Sequence, residues 1–207
     1  MTNTTALERA QPVIDDPTAD RLFRAARTTM EWADAEVPDE RIQAAWDLTK
    51  FGPTAMNCLP MRMAVVRTPE AKARLIPHMA EANQAKVEAA PLSLVLAGDP
   101  SFHEHMPTTF PVVPDMKDQL DPVEDVRGEM ARTNALLQAG YLIIALRSVG
   151  LAAGPMNGMD FQGVDGEFFA DSGFKSFLVV NTGVAEGAGT PFPRLPRLDL
   201  HQVAQVL

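Results

Sequence analysis

Three arginines in the sequence are candidates for binding an anion. Arg27 stands in ART at 26–28, while Arg194 and Arg197 lie three residues apart in PRLPR at 193–197, where prolines stiffen the chain. A guanidinium group can bind phosphate oxygens through two parallel hydrogen bonds. Together the three arginines predict a phosphate site. Taken singly, each arginine is better explained as a solvated surface charge.

Two short segments offer further contacts to a ligand. GPTAMN at 52–57 is a turn restricted by Gly and Pro, in which Thr54 and Asn57 provide hydrogen-bonding side chains. GLAAGPMNG at 150–158 would let backbone N–H groups approach a ligand closely, because glycine has no side chain. The alternatives are a simple chain reversal for the first segment and a helix stop followed by a turn for the second.

SFHEHMPTTF at 101–110 contains two histidines in a predicted loop. His103 and His105 could bind a carboxylate or donate a proton, because histidine titrates near neutral pH. Together with Glu104 and Asp99 they also suggest a metal site. However, the sequence offers no cysteine and no further ligand near the two histidines, so we predict no metal. A surface loop with solvated histidines is the remaining interpretation.

Composition excludes several classes of protein. The chain has 207 residues and a formal net charge of -9, which disfavours nucleic acid and anionic membrane surfaces as partners. Its first residues lack an apolar signal region, so we expect a cytoplasmic protein, and no apolar run is long enough to span a membrane. The single cysteine, Cys58, excludes an internal disulfide and makes a nucleophilic role conceivable, although no histidine is near it in sequence.

The elements that must position these residues alternate along the chain. Hydrophobic periodicity and capping residues predict six helices, at about 17–33, 38–50, 69–80, 81–89, 122–149 and 164–171. Four strands are predicted at about 62–67, 91–99, from 151 onward, and 174–184, with a long surface excursion at 107–122. Neither a GxGxxG after the first strand nor a GxxxxGK[ST] is present, so we expect an α+β layered fold rather than a doubly wound sheet. One domain is expected over 1–207, with about 1–16 as a flexible N-terminal segment.

The ordered motifs resemble those of the nitroreductase family of FMN-dependent oxidoreductases. They are ART followed by Trp32, GPTAMNCLP, PEAKARL, a long apolar helix, GLAAGPMNG and PRLPR, and they extend from about residue 20 to the end. The chain is most similar to the branch that contains malonic semialdehyde reductase of pyrimidine breakdown. That branch shares GPT-x-x-N, the long loop after the second strand and the RLPRL tail.

The resemblance implies a fold, an assembly and a set of cofactor contacts. The fold is a three-layer α/β/α arrangement around a mostly antiparallel sheet. The assembly is a homodimer with two FMN sites at the subunit interface, and the apolar helix at 130–149 fits that interface. The implied phosphate contacts come from Arg27, Thr28, Arg194 and Arg197. The implied ring contacts come from Thr54, Asn57, Lys72, Gly154, Pro155 and Met156.

The resemblance also implies an activity and leaves alternatives. NADH or NADPH would pass a hydride to the flavin and leave, and a small aldehyde acid, malonic semialdehyde, would then be reduced to 3-hydroxypropionate by ping-pong kinetics. The alternatives are a broad nitro or quinone reductase and a flavin-binding protein without turnover. Met30, Leu59 and Met61 depart from the family pattern at the phosphate side and in the turn, which puts the detailed FMN contacts in question.

Overall fold

Four antiparallel strands form one sheet at the centre of the protein. The computed structural model describes residues 13–207. The strands are β1 (Met61–Val66), β2 (Leu92–Gly98), β3 (Ala152–Met156) and β4 (Lys175–Gly183). They are arranged in the order β1-β2-β4-β3, and every residue of β2 is buried. The four predicted strands are therefore confirmed, and the fully apolar second strand is central, as its composition indicates.

Nine α-helical segments surround the sheet in the described part of the chain. They are α1 (Asp16–Ala19), α2 (Asp39–Thr49), α3 (Pro69–Leu75), α4 (Glu81–Ala89), α5 (Met106–Thr109), α6 (Met116–Leu120), α7 (Glu124–Ser148), α8 (Phe161–Phe168) and α9 (Leu200–Val203). Thr68 caps the amino end of α3, because its hydroxyl accepts a hydrogen bond from the Ala71 amide. Gly150 ends the long helix with φ of 81°.

Helices cover both faces of the sheet. Alternate residues of β2 point to opposite sides, so Leu94 and Leu96 pack with α2 and α7, whereas Val95 and Ala97 pack with α3, α4 and α8. Two hydrophobic cores thus lie on either side of one antiparallel sheet. This arrangement confirms the α+β fold expected from the sequence.

The prediction of one helix over 17–33 is wrong beyond Arg24, where the helical turns end. After α1, one π-helical turn spans Asp20–Arg24, and the chain is then extended. Thr28 forms a bridge with Ala153 of β3, and Trp32 forms one with Ala185. Arg27 therefore does not lie on a helix. The β-branched Thr28 and Thr29 favour pairing with a strand edge, and that tertiary pairing overrides the local helical pattern.

The excursion at 107–122 has more structure than the sequence indicates. It contains α5 and α6, and Phe102 and Met106 form a third hydrophobic cluster with Cys58 and Leu120. The Pro-rich segment is therefore part of a small packed unit that follows β2 in the chain. The two short helices are not predicted from the sequence, because prolines at this density indicate turns and loops.

The long helix leaves part of its apolar surface uncovered in one chain. Leu136 and Leu137 of α7 are 45% and 47% exposed, and Phe51, which follows α2, is 81% exposed. α2 packs against α7, so these side chains belong to neighbouring elements. Exposed apolar side chains on adjoining helices are typical of an interaction surface.

Replacing Gly166 with alanine is expected to stabilise the protein by about 0.5–1 kcal/mol. Gly166 is exposed within α8, and a Cβ atom there would meet no heavy atom within 4 Å. The gain arises because alanine loses less backbone entropy than glycine when the helix forms. Urea denaturation of the two proteins measures it, and an unchanged or lower midpoint for the variant would contradict the expectation.

Two expectations concern the ends of the chain and membranes. Residues 1–12, most of the predicted flexible segment, lie outside the described residues. Within residues 13–207, no helix has the length and apolarity required to cross a bilayer.

Candidate functional site

A basic cleft lies between the segment after the π-helical turn and the C-terminal tail. Its volume is about 760 Å³. It collects five arginines, from the π-helical turn, the segment after it, the end of α7 and the tail: Arg24, Arg27, Arg147, Arg194 and Arg197. Thr28 and Met30 also line it. The structure thus brings together all four residues of the implied phosphate contacts.

Reciprocal hydrogen bonds hold the two walls of this cleft together. Arg27 Nη2 donates to the carbonyls of Phe192 and Pro193 at 2.7 and 3.1 Å, and Arg194 Nη2 donates to the Ala26 carbonyl at 3.0 Å. Each guanidinium has five N–H donors, so both arginines keep donors for an additional acceptor. The tail is therefore fixed against the arginine segment without exhausting either side chain.

The cleft carries unbalanced positive charge. Arg24 is paired with Asp16 and Asp20, each at 2.6 Å. Within residues 13–207, the other four arginines of the cleft form no ion pair with a carboxylate. Four uncompensated guanidinium groups in one cleft would attract an anion, even though the whole chain is acidic.

Strand β3 lies directly behind the arginine segment. The Thr29 amide donates to the Ala153 carbonyl at 3.1 Å, beside the Thr28 bridge. A Cβ atom added to Gly154 would lie 2.4 Å from the Thr29 carbonyl oxygen, so only glycine permits this approach. Gly154, at the start of the segment 154–156, is thereby held against Thr29, the residue that follows Thr28.

The turn at 52–57 is strained and firmly attached to α7. Met56, Asn57 and Leu59 have φ of 50°, 51° and 43°, a left-handed conformation that is unusual outside glycine. The Asn134 side chain accepts from the Ala55 amide at 2.7 Å, and the Thr54 hydroxyl accepts from the Leu59 amide at 3.3 Å. Strained backbone held in this way is common at functional sites.

The turn does not reach the basic cleft within one chain. Thr54 and Asn57 are absent from the cleft lining, and the Asn57 side chain donates to the Thr109 carbonyl of the excursion at 2.7 Å. Of the departures from the family pattern, Met30 lines the cleft and Met61 is buried in the core. One chain therefore presents the implied phosphate contacts and the implied turn contacts as two separate groups.

Lys72 lies apart from both groups. Its ammonium donates to the carbonyls of Glu88 and Ala90, at the end of α4, and burial lowers its pKa. Lys86 is not among the residues predicted from the sequence, but it is linked to the glycine-rich segment through Asn83. Its ammonium donates to Asn83 Oδ1 at 3.0 Å, and Asn83 donates to the Gly158 carbonyl at 3.1 Å. The signal in the sequence is an Asn-x-x-Lys spacing on one helix face.

The two histidines have different environments. His103 is only 3% exposed, with Nε2 at 3.1 Å from Asp121 Oδ1, whereas His105 is exposed. His103, Glu104 and Asp121 have potential metal-ligating atoms within 4.8 Å of one another. Lys117 pairs with Glu104 at 2.6 Å and lowers the pKa of that carboxyl. A cation is already present there, so we interpret the cluster as an ion-pair network.

Cys58 is buried beneath the turn. Burial raises the pKa of its thiol, which disfavours the thiolate needed for nucleophilic attack. The structure thus gives no support to the nucleophilic alternative.

Known proteins resemble the chain over nearly its whole length. Residues 12–184 match the model of the nitroreductase family. A Streptomyces coelicolor protein named NADH dehydrogenase/NAD(P)H nitroreductase is 48% identical over 191 residues, covering 92% of this chain and 96% of that protein.

Two solved structures have the same fold at low sequence identity. An Exiguobacterium sibiricum nitroreductase in complex with FMN superposes with a TM-score of 0.75 at 18% identity, covering 95% of this chain and 99% of that one. An NAD(P)H:FMN oxidoreductase from Staphylococcus epidermidis gives 0.77 at 17% identity, covering 97% and 99%.

Proposed function

The chain belongs to the nitroreductase family, and from this premise we propose that it is an FMN-dependent NAD(P)H oxidoreductase. The observation that carries the proposal is the basic cleft, with four arginines that have no carboxylate partner in the described chain. Its volume of about 760 Å³ is within the range of cofactor sites. FMN, when bound, would supply the hydride chemistry.

The residues of the cleft would hold the phosphate end of the cofactor. Arg27, Arg194 and Arg197 offer guanidinium donors, and Thr28 offers a hydroxyl. The tail and the arginine segment are already joined by hydrogen bonds, so little chain entropy is lost when an anion binds between them. Behind them, the backbone of 154–156 would form one wall for the ring.

A homodimer would complete the site. Thr54 and Asn57 lie apart from the arginine cleft of their own chain, while Phe51, Leu136 and Leu137 expose apolar surface close to the turn. Tyr141 of α7 donates to the Pro53 carbonyl at 3.0 Å, which ties the turn to this surface. We propose that a second copy covers it and that its turn contributes Thr54 and Asn57 to the partner's site. Light scattering measures the mass; a monomer at micromolar concentration would contradict this.

Lys86 is the better candidate for the cation beside the ring. Replacing Lys86 with methionine is expected to slow flavin reduction by roughly 10- to 100-fold, because a positive charge in a water-poor site stabilises developing negative charge. In the matched variant Lys72→Met the rate of flavin reduction should stay close to that of the wild type, because the Lys72 ammonium donates to the carbonyls of Glu88 and Ala90. Stopped-flow reduction measures both, and a larger loss in the Lys72 variant would reverse the assignment.

Within this activity we propose a small aldehyde acid, malonic semialdehyde, as the substrate. The GPT-x-x-N turn, the excursion and the RLPRL tail support it, and the exposed His105 is a candidate donor for its carboxylate. Steady-state kinetics with aldehydes, quinones and nitro compounds at equal concentration test the proposal. Turnover of nitro compounds or quinones that equals or exceeds that of malonic semialdehyde would favour the broad reductase instead.

A further inference from the structure

A second basic cleft lies on the other side of the arginine segment. Its volume is about 450 Å³, and it shares Ala26, Arg27 and Arg147 with the first cleft. Arg21 lines the second cleft but not the first. Two clefts of like charge therefore adjoin one another across 26–27.

Its side chains provide three positive charges. No carboxylate is among its lining residues, and Arg21 forms no ion pair within residues 13–207. Arg147, at the end of α7, donates from Nη1 to the Leu22 carbonyl at 2.8 Å. Burial lowers the pKa of Arg147, and no charged neighbour offsets the lost hydration.

A rigid glycine turn forms the opposite wall. Gly187 and Gly189 have φ of 52° and 72°, and the Gly189 carbonyl accepts from the amides of Met30 and Glu31 at 2.7 and 3.1 Å. The amides of Gly187 and Ala188, which both line the cleft, donate to no protein acceptor in the described chain. Free backbone amides in a glycine turn are common donors to phosphate oxygens.

We propose that this second cleft binds the phosphate groups of the NAD(P)H donor. The inference rests on the proposed function and deepens it. Three guanidinium groups and free amides suit a pyrophosphate or a 2′-phosphate, whereas no carboxylate is present to bind a ribose diol. The two clefts adjoin at Arg27 and Arg147, so the donor's phosphates would bind beside the cofactor's phosphate, with Arg21 contacting the donor alone.

A series of donors with and without phosphate tests this assignment. In the FMN-loaded enzyme, Arg21→Gln should raise KM for NADH and NADPH by about 10-fold, the loss expected for one charge-assisted contact. The value of kcat should be unchanged. KM for reduced nicotinamide riboside, which has no phosphate, should not change. Arg132→Gln, an exposed arginine of α7 outside both clefts, is the matched control.

Two results would overturn the proposal. One is an unchanged KM for both dinucleotides in the Arg21 variant, and the other is an equal rise in KM for the phosphate-free donor. Failure of the proposed function is distinct, because then none of the three donors would reduce bound FMN in the wild-type protein.

Discussion

Replacing both Arg27 and Arg194 with glutamine is expected to weaken FMN binding on the order of 10³-fold and to leave riboflavin binding almost unchanged. A hydrogen bond to a charged group contributes about 1.5–3 kcal/mol, or roughly 10- to 100-fold in affinity per arginine. Riboflavin lacks the phosphate, so the pair of ligands separates the loss of phosphate contacts from a general loss of the site. Fluorescence titration measures both affinities.

The experiment needs a control for loosening of the C-terminal tail in the double variant. Both arginines donate to backbone carbonyls across the cleft, so the double variant could loosen residues 192–194. Its thermal midpoint should therefore be compared with that of Arg132→Gln. Equal loss of FMN and riboflavin binding, or a wild-type protein that binds both ligands alike, would contradict the assignment of the cleft to phosphate.

Replacing Gly154 with valine is expected to destabilise the protein by about 1–3 kcal/mol and to weaken FMN binding as well. Its Cβ would lie 2.4 Å from the Thr29 carbonyl oxygen, a backbone atom that cannot move without disturbing the Thr28 bridge to β3. Arg27 would move with that segment. Urea denaturation and FMN titration measure the two losses.

Gly166→Ala is the matched control, because a Cβ there meets no neighbouring atom. If the Gly154 variant unfolds at the wild-type midpoint and binds FMN normally, the close approach of 27–29 to β3 does not support the site.

The sequence predicts the sheet and most helices because their signals are local. β2 is an unbroken apolar run, and α3 begins with Thr68 and Pro69, a capping pattern that needs no tertiary information. The helix prediction fails over 25–33. The conformation of this segment depends on its pairing with Ala153 and Ala185, which are remote in sequence. Even so, Arg27 lies in the cleft with Arg194 and Arg197.

The candidate site could be predicted only in part. The arginines are recognisable by type and spacing. The Asn-x-x-Lys spacing pairs Lys86 with Asn83 locally, but only the tertiary structure shows that Asn83 donates to the Gly158 carbonyl. The same holds for Lys72, whose ammonium donates to the carbonyls of Glu88 and Ala90. Likewise, the burial of His103 depends on the small core formed by the excursion. Side-chain direction at such positions is decided by packing between distant elements.

Anaerobic titration of the FMN-loaded wild-type protein with NADH and NADPH tests the central claim most directly. We expect one FMN per chain, and we expect the oxidised flavin spectrum to disappear as one donor molecule is consumed per flavin. Protein that does not bind FMN, or bound FMN whose oxidised spectrum persists in excess of both donors, would contradict the account.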